Sequence, residues 1–215
     1  MTMTDNKKYL IATAEGAYYL VQDSSKNWQK NVLRKLFSLP TSPELNSETL
    51  KNIFDIEVNN IEDRNYLKNR IKEFQKLQLL KIVDQEVLAP QGDIEQNLID
   101  LIHVFSKNDS VLLSDSHGFC IANHGFSEQV SEEISALSAD IAIMHKRRAL
   151  NINEKLGLNS QAWSIVDAFG KSCLGFWPLN INDEVFVLTI EGRPKFNQQA
   201  TVSLVWMLYL RYGKK

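Results

Sequence analysis

The chain of 215 residues has only two cysteines, five prolines and nine glycines. Two cysteines cannot build a disulfide scaffold, and the lack of one in a chain this size suits a reducing compartment. No charge sign dominates. Lys plus Arg number 24 against 26 Asp plus Glu, a formal charge of −2. Global attraction to nucleic acid or anionic membrane is therefore excluded, and any such binding must use a local patch. Long hydrophobic runs are absent as well. The longest, Val202 to Leu210, has nine residues with Ser203 inside it, far below the ~20 needed to span a bilayer; it reads as a buried helix. At the other end Lys7-Lys8 precedes Tyr9 to Ala14, which Glu15 interrupts after six residues, short of the ~7–15 of a signal h-region. The expectation is a cytoplasmic protein with no membrane contact. Catalytic signatures are missing too: there is no Gly-x-Ser-x-Gly elbow, no paired His-Glu metalloprotease helix and no Gly-x-Gly-x-x-Gly. The sequence predicts no enzyme and no cofactor.

What is present is ordinary globular material: 44% hydrophobic and 23% charged residues in 24.6 kDa. That excludes dominant disorder and predicts one large domain or two small ones. Ala89-Pro90-Gln91-Gly92-Asp93 is the best boundary, because Pro and Gly punctuate it and Asp93 can cap a new helix. The expected domains are 1–90 and 93–215. Charge shifts modestly across the break, from +1 over residues 1–92 to −3 over the rest.

In the first part, Tyr9–Ala14 and Ala17–Val21 are rich in β-formers around Glu15-Gly16 and predict a hairpin or edge strand. Lys26–Leu39 reads as a helix ended by Pro40 and Pro43. A short helix follows from Asn46 or Ser47, carrying Leu50, Ile53 and Phe54. A third runs from about Ile61 to Leu77, with Leu67, Ile71, Phe74 and Leu77 at helical spacing. Leu80–Val83 and Glu86–Ala89 are two short β-like runs around Asp84-Gln85. Three helices and a terminal two-stranded ribbon make the pattern of a winged helix-turn-helix.

The second part predicts a helix over Ile94–Lys107, then strands Val111–Ser114 and Phe119–Ala122 around Ser116-His117-Gly118. Another helix follows from Val130 to about Leu150, with Val130, Ile134, Leu137, Ile141 and Met144 on one stripe. Strands over Ala162–Phe169, Cys173–Pro178 and Asp183–Ile190 come next, and a helix over Phe196–Tyr212 closes the chain. The order is α-β-β-α-β-β-β-α.

That order resembles the roadblock (dynein light-chain) family over residues 93–213. Gly118 sits in the first hairpin, Ala136-Leu137-Ser138-Ala139 in the middle helix, and Glu184-Val-Phe-Val-Leu-Thr-Ile190 before the last helix. Most family-like is Val111-Leu-Leu-Ser-Asp-Ser-His-Gly-Phe-Cys-Ile-Ala122, which looks like the family's opening hairpin with its Asp-x-x-Gly-type turn. His117 and Phe119 depart from the family, where smaller or polar residues usually flank the turn glycine. The resemblance implies an α/β (α+β) sandwich with one five-stranded antiparallel sheet. It also implies a non-enzymatic module that dimerises by pairing its third strands and packing its middle helices, and that acts as a platform, notably for small Ras-like GTPases. Carried onto this chain, the self-dimer interface would use Ile134, Leu137, Ile141 and Met144 on the helix. On the strand it would use Trp163, Ile165, Asp167 and Phe169. The expected sheet order leaves 162–169 at an edge, and that stretch has one charge, Asp167, and no proline to block pairing.

Other constellations weigh less. His117-x2-Cys120-x3-His124, with Cys173, invites a metal reading. Cys120 and His124 lie on one face of a strand but roughly 13 Å apart at ~3.3 Å per residue, too far for zinc bonds of ~2.0–2.3 Å. No metal site is expected, and the cysteines read as core residues. Phe169-Gly170-Lys171-Ser172 ends like a phosphate-binding loop, but position 165 is Ile where that loop needs Gly, and a strand follows where it needs a helix. It reads as a hairpin turn. Arg64, Lys68, Lys72 and Lys76 recur every four residues along the third helix, the element a winged helix inserts into the major groove. They make a DNA-binding regulator the alternative, with Glu62, Asp63 and Glu73 diluting the stripe. His145-Lys146-Arg147-Arg148 reads as a basic helix end that suits the C-terminal dipole.

Overall fold

In a computed structural model, residues 7–56, 61–91, 94–107, 110–157 and 162–213 are described. By its internal contacts the chain forms two units: Met1–Leu20, Ser25–Gln91 and Thr201–Lys215 make one, Val21–Ser24 and Gly92–Ala200 the other. The first unit thus includes the C-terminal helix. Asp93, the expected helix cap, lies outside the described residues. No helix among the described residues is long and apolar enough to cross a membrane.

The first unit opens with β1 (Tyr9–Ala12), but the expected second strand is a helix, α1 (Ala14–Val21). Thr13 decides this locally. Its hydroxyl accepts from the Gly16 N–H at 3.0 Å and its carbonyl accepts from the Ala17 N–H at 2.9 Å, so the first helical turn closes before the β-formers Tyr18 to Val21 begin. Gly16 is required there, since a Cβ would stand 2.0 Å from the Leu79 carbonyl oxygen. Helix α2 (Trp28–Phe37) is capped by Asn27 and α3 (Ser47–Phe54) by Asn46, each side chain accepting an N–H three residues on. Helix α4 (Ile61–Lys76) and β2 (Leu80–Val83) follow.

The terminal ribbon expected from 80–89 does not form. Strand β2 pairs antiparallel with β1, from Tyr9↔Val83 to Ala12↔Leu80. Residues 86–89 are held instead by the 40–42 segment. The Ser42 amide donates to the Val87 carbonyl, the Val87 amide donates to the Ser42 hydroxyl, and the Ala89 amide donates to the Pro40 carbonyl. Helix α7 (Gln199–Tyr212) contributes Trp206 and Tyr209 to this unit's core, both within ring contact of Phe37. The Trp206 indole donates to the Leu39 carbonyl at 2.8 Å.

The second unit is a mixed α/β arrangement around one five-stranded antiparallel sheet. Its elements are α5 (Ile94–Ile102), a 3-10 turn (His103–Phe105), β3 (Val111–Asp115), β4 (Cys120–His124), α6 (Glu128–Leu156), β5 (Trp163–Val166), β6 (Ser172–Ile181) and β7 (Glu184–Glu191). The strand order is β4-β3-β7-β6-β5. The expected α-β-β-α-β-β-β order and the edge position of the third strand both appear here, while the closing helix belongs to the first unit. Leu112, Phe176 and Val187 form a core cluster with Ile134, Ile141 and Ala142 of α6. The alternate residues Phe186, Leu188 and Ile190 point to the opposite face and are buried too. Gly118, with φ of +88°, lies in the first hairpin turn, where an added Cβ would meet Ala136 and Ala139 of α6.

The helix expected over 94–107 ends at Ile102 and the one expected over 196–212 begins at Gln199, and two further boundary differences bear on the site. Helix α6 runs to Leu156, past the expected end near Leu150, so the basic residues 145–148 sit inside the helix and not at its C-terminal dipole. Strand β5 stops at Val166. Asp167 to Gly170 form a turn in which the Asp167 carboxylate accepts the N–H groups of Phe169 and Lys171, both at 2.9 Å.

Candidate functional site

The residues expected at an interface fall into three groups. Ile134 and Ile141 face the sheet and are buried, whereas Leu137 and Met144 of the same helix are 38% and 36% exposed. Val130, expected on that stripe, is exposed as well. One helical stripe is therefore split: its sheet-facing flank fills the core and its other flank meets solvent.

The strand residues form the second group. Strand β5 pairs with β6 from Trp163↔Phe176 to Val166↔Ser172, with a register shift after Ile165. Its other edge has no partner strand among the described residues. Ile165 and Val166 are 50% and 52% exposed, and Phe169 in the adjoining turn is 96% exposed. Asp167, grouped with them on the sequence, spends its carboxylate on the turn. Trp163 is half-buried and anchored: its indole N–H donates to Nδ1 of His145 at 3.0 Å, with the rings edge-on at 6.4 Å. That His145–Trp163 pair was not legible in sequence, where His145 reads as one of four basic neighbours.

His145 is buried in α6, and burial pushes its pKa down while Asp23 opposes that shift. It lines a cleft of about 180 Å³ together with Asp23, Lys146, Asn180, Asn182 and Asp183. The Asn180 side-chain amide closes one wall by donating to the Val21 carbonyl.

The third group is the basic stripe of α4. Arg64, Lys68, Lys72 and Lys76 are all exposed. Beside them Arg70 lies over the rings of Trp28 and Tyr66, at 4.5 and 4.8 Å, and bonds Glu73 and the Tyr66 hydroxyl.

Both cysteines are exposed, against their expected place in the core. They also lie on β4 and β6, separated by β3 and β7, which sets them at least about 14 Å apart at ~4.8 Å per strand. The Cys120 thiol is pushed up by burial of its sulfur, with bonds to Ser135 and Ala122 opposing, so it is a poor thiolate nucleophile. The Phe169–Ser172 segment is the β5–β6 hairpin turn and offers no helix N-terminus to a phosphate.

No family model matches the chain, and no curated protein matches it. Among solved structures, MglB of Myxococcus xanthus shows a partial likeness, with 16% identity over 55% of this chain and 85% of that one, at a TM-score of 0.32. The order of elements and strands carries the fold assignment by itself.

Proposed function

We propose that this chain is a non-enzymatic, cytoplasmic scaffold that homodimerises through its second unit and binds a protein partner, a small Ras-like GTPase. The carrying observation is the open edge of β5. This edge strand has half-exposed aliphatic residues and carries neither lysine nor proline, two of the devices that keep edges unpaired. Pairing it with a second copy about a two-fold axis would continue the sheet across two chains and cover Ile165 and Val166. The GTPase follows from the resemblance of residues 93–213 to roadblock domains. On this reading residues 1–90 are a winged-helix-like companion in which the β1–β2 ribbon replaces the expected terminal hairpin.

One observation favours a second reading, a DNA-binding regulator: the four exposed cations of α4 at i,i+4 spacing. Affinity purification of the intact chain from its native cell, with bound proteins identified, separates the two. Recovery of a small GTPase supports the scaffold. The scaffold reading is overturned by the absence of a stoichiometric protein partner together with a gel shift that weakens steeply with salt and is lost in Arg64→Glu/Lys68→Glu.

A further inference from the structure

His145 is nine-tenths buried in α6, and one of its two ring nitrogens is already engaged. Nδ1 accepts from the Trp163 indole, so the proton of the neutral ring sits on Nε2. That Nε2–H has no hydrogen-bond partner among the described residues, yet it is not sealed from solvent. The opening beside the ring is the cleft of about 180 Å³. A donor on a buried ring is thus held in one tautomer and offered to the cleft, where only water or an incoming group can accept from it.

Three segments of the second unit wall this cleft: α6, the β6–β7 turn and residues 23–24. Asn182, with φ of +53°, makes the turn between Ile181 and Glu184 and leaves Asp183 lining the cleft. Lys146 follows His145 along α6 onto the same cleft. These two exposed charges are opposite in sign, but they pair neither with each other nor with any other described residue. Asp23 adds a second carboxylate, close enough to His145 to oppose the lowering of its pKa.

This set of groups selects a ligand class. Two carboxylates and one ammonium beside a neutral imidazole give the lining a formal charge of −1, which disfavours phosphates and dicarboxylates. A bare metal ion does not fit, because no three metal-ligating side chains converge among the described residues. A simple amine would satisfy the carboxylates but leave the His145 donor unanswered and be repelled by Lys146. A molecule with both an ammonium and a carboxylate answers all of them. We propose that the cleft binds a free α-amino acid with a small apolar side chain, its carboxylate on His145 Nε2–H and Lys146 and its ammonium on Asp183. The side chain lies against Ala142 and Val185, which line the same cleft. The volume holds about six waters at ~30 Å³ each, the size of such a molecule. This site goes beyond the scaffold reading and needs neither a dimer nor a protein partner.

Isothermal titration of the full chain with alanine, valine, leucine and methionine tests it. At least one is expected to bind with a Kd on the order of 1 mM or tighter. The amine and the acid made by removing one of that ligand's two charged groups should each bind at least about tenfold more weakly. Asp183→Asn and Lys146→Gln are expected to weaken binding about tenfold each and to keep the wild-type melting temperature, since both side chains are exposed. No heat from any of the four amino acids at about 10 mM overturns the proposal. So does binding that both variants leave undiminished, or an amine that binds as well as its amino acid. None of these results depends on the oligomeric state, so the site can fail while the scaffold reading stands.

Discussion

The indole N–H of Trp163 donates to Nδ1 of His145 at 3.0 Å, tying the first residue of edge strand β5 to helix α6. An accepting Nδ1 requires the neutral ring with its proton on Nε2, because an imidazolium has no lone pair to offer. Burial favours that neutral form and holds the His145 pKa below its ordinary 6.5, with Asp23 pulling the other way. The unfolded chain therefore takes up a proton first as pH falls. The stability tied to this site is present above about pH 6.5 and is lost as pH drops through that value toward the lower folded one. Thermal denaturation between pH 8 and 5 is expected to show this loss in wild type. His145→Asn keeps an acceptor near the Nδ1 position but cannot titrate, so its profile should be flatter. Equal slopes in the two proteins would assign the loss to other groups.

Gly16 tests the packing of α1. A Cβ there would stand 2.0 Å from a backbone oxygen, which cannot rotate away. Gly16→Ala is expected to destabilise the chain by about 1–3 kcal/mol despite alanine's better helix propensity. A melting temperature at or above that of wild type would mean that α1 can shift freely away from Leu79.

Two buried serines should answer oppositely to the same substitution. Ser138 donates to the Ile134 carbonyl and bonds the Thr189 hydroxyl at 3.1 Å, joining α6 to β7. Ser114 is fully buried on β3, and its hydroxyl has no hydrogen-bond partner among the described residues. Ser138→Ala should cost about 1 kcal/mol, whereas Ser114→Ala should be neutral or stabilising, because it removes an unsatisfied polar group. Chemical denaturation of the two variants measures the difference directly.

The second unit was readable from sequence because its signals are local. Short continuous apolar runs mark β3 and β7, and turn glycines such as Gly118 mark the hairpin between β3 and β4. The first unit hid two facts that only tertiary contacts decide. Tyr18-Tyr19-Leu20-Val21 reads as a strand by propensity, yet one Thr13 cap and the close approach of Leu79 make it a helix. Strand β2 finds its partner in β1, some seventy residues upstream, and no short-range pattern announces that. At the candidate site, the edge position of 162–169 was expected from the sheet order the family resemblance implies, and the stretch's single charge and lack of proline were read from the sequence. The His145–Trp163 bond could not, since the two lie eighteen positions apart on different elements. The meaning of Arg147 and Arg148 also depended on a helix end that falls at Leu156 instead of near Leu150.

Ile165 is half-exposed on the free edge, so Ile165→Lys should leave the folded unit nearly as stable as wild type while placing a charge where a second strand would pair. A normal melting temperature with a loss of dimer is the expected pair of results. Loss of both would show that the side chain serves the unit's own core instead.

The mass of the intact wild-type chain in solution, by light scattering at micromolar concentration, bears most directly on the proposed scaffold. A value roughly double the 24.6 kDa of one chain is expected for an isologous dimer built on β5 and α6. A value near 24.6 kDa would contradict it.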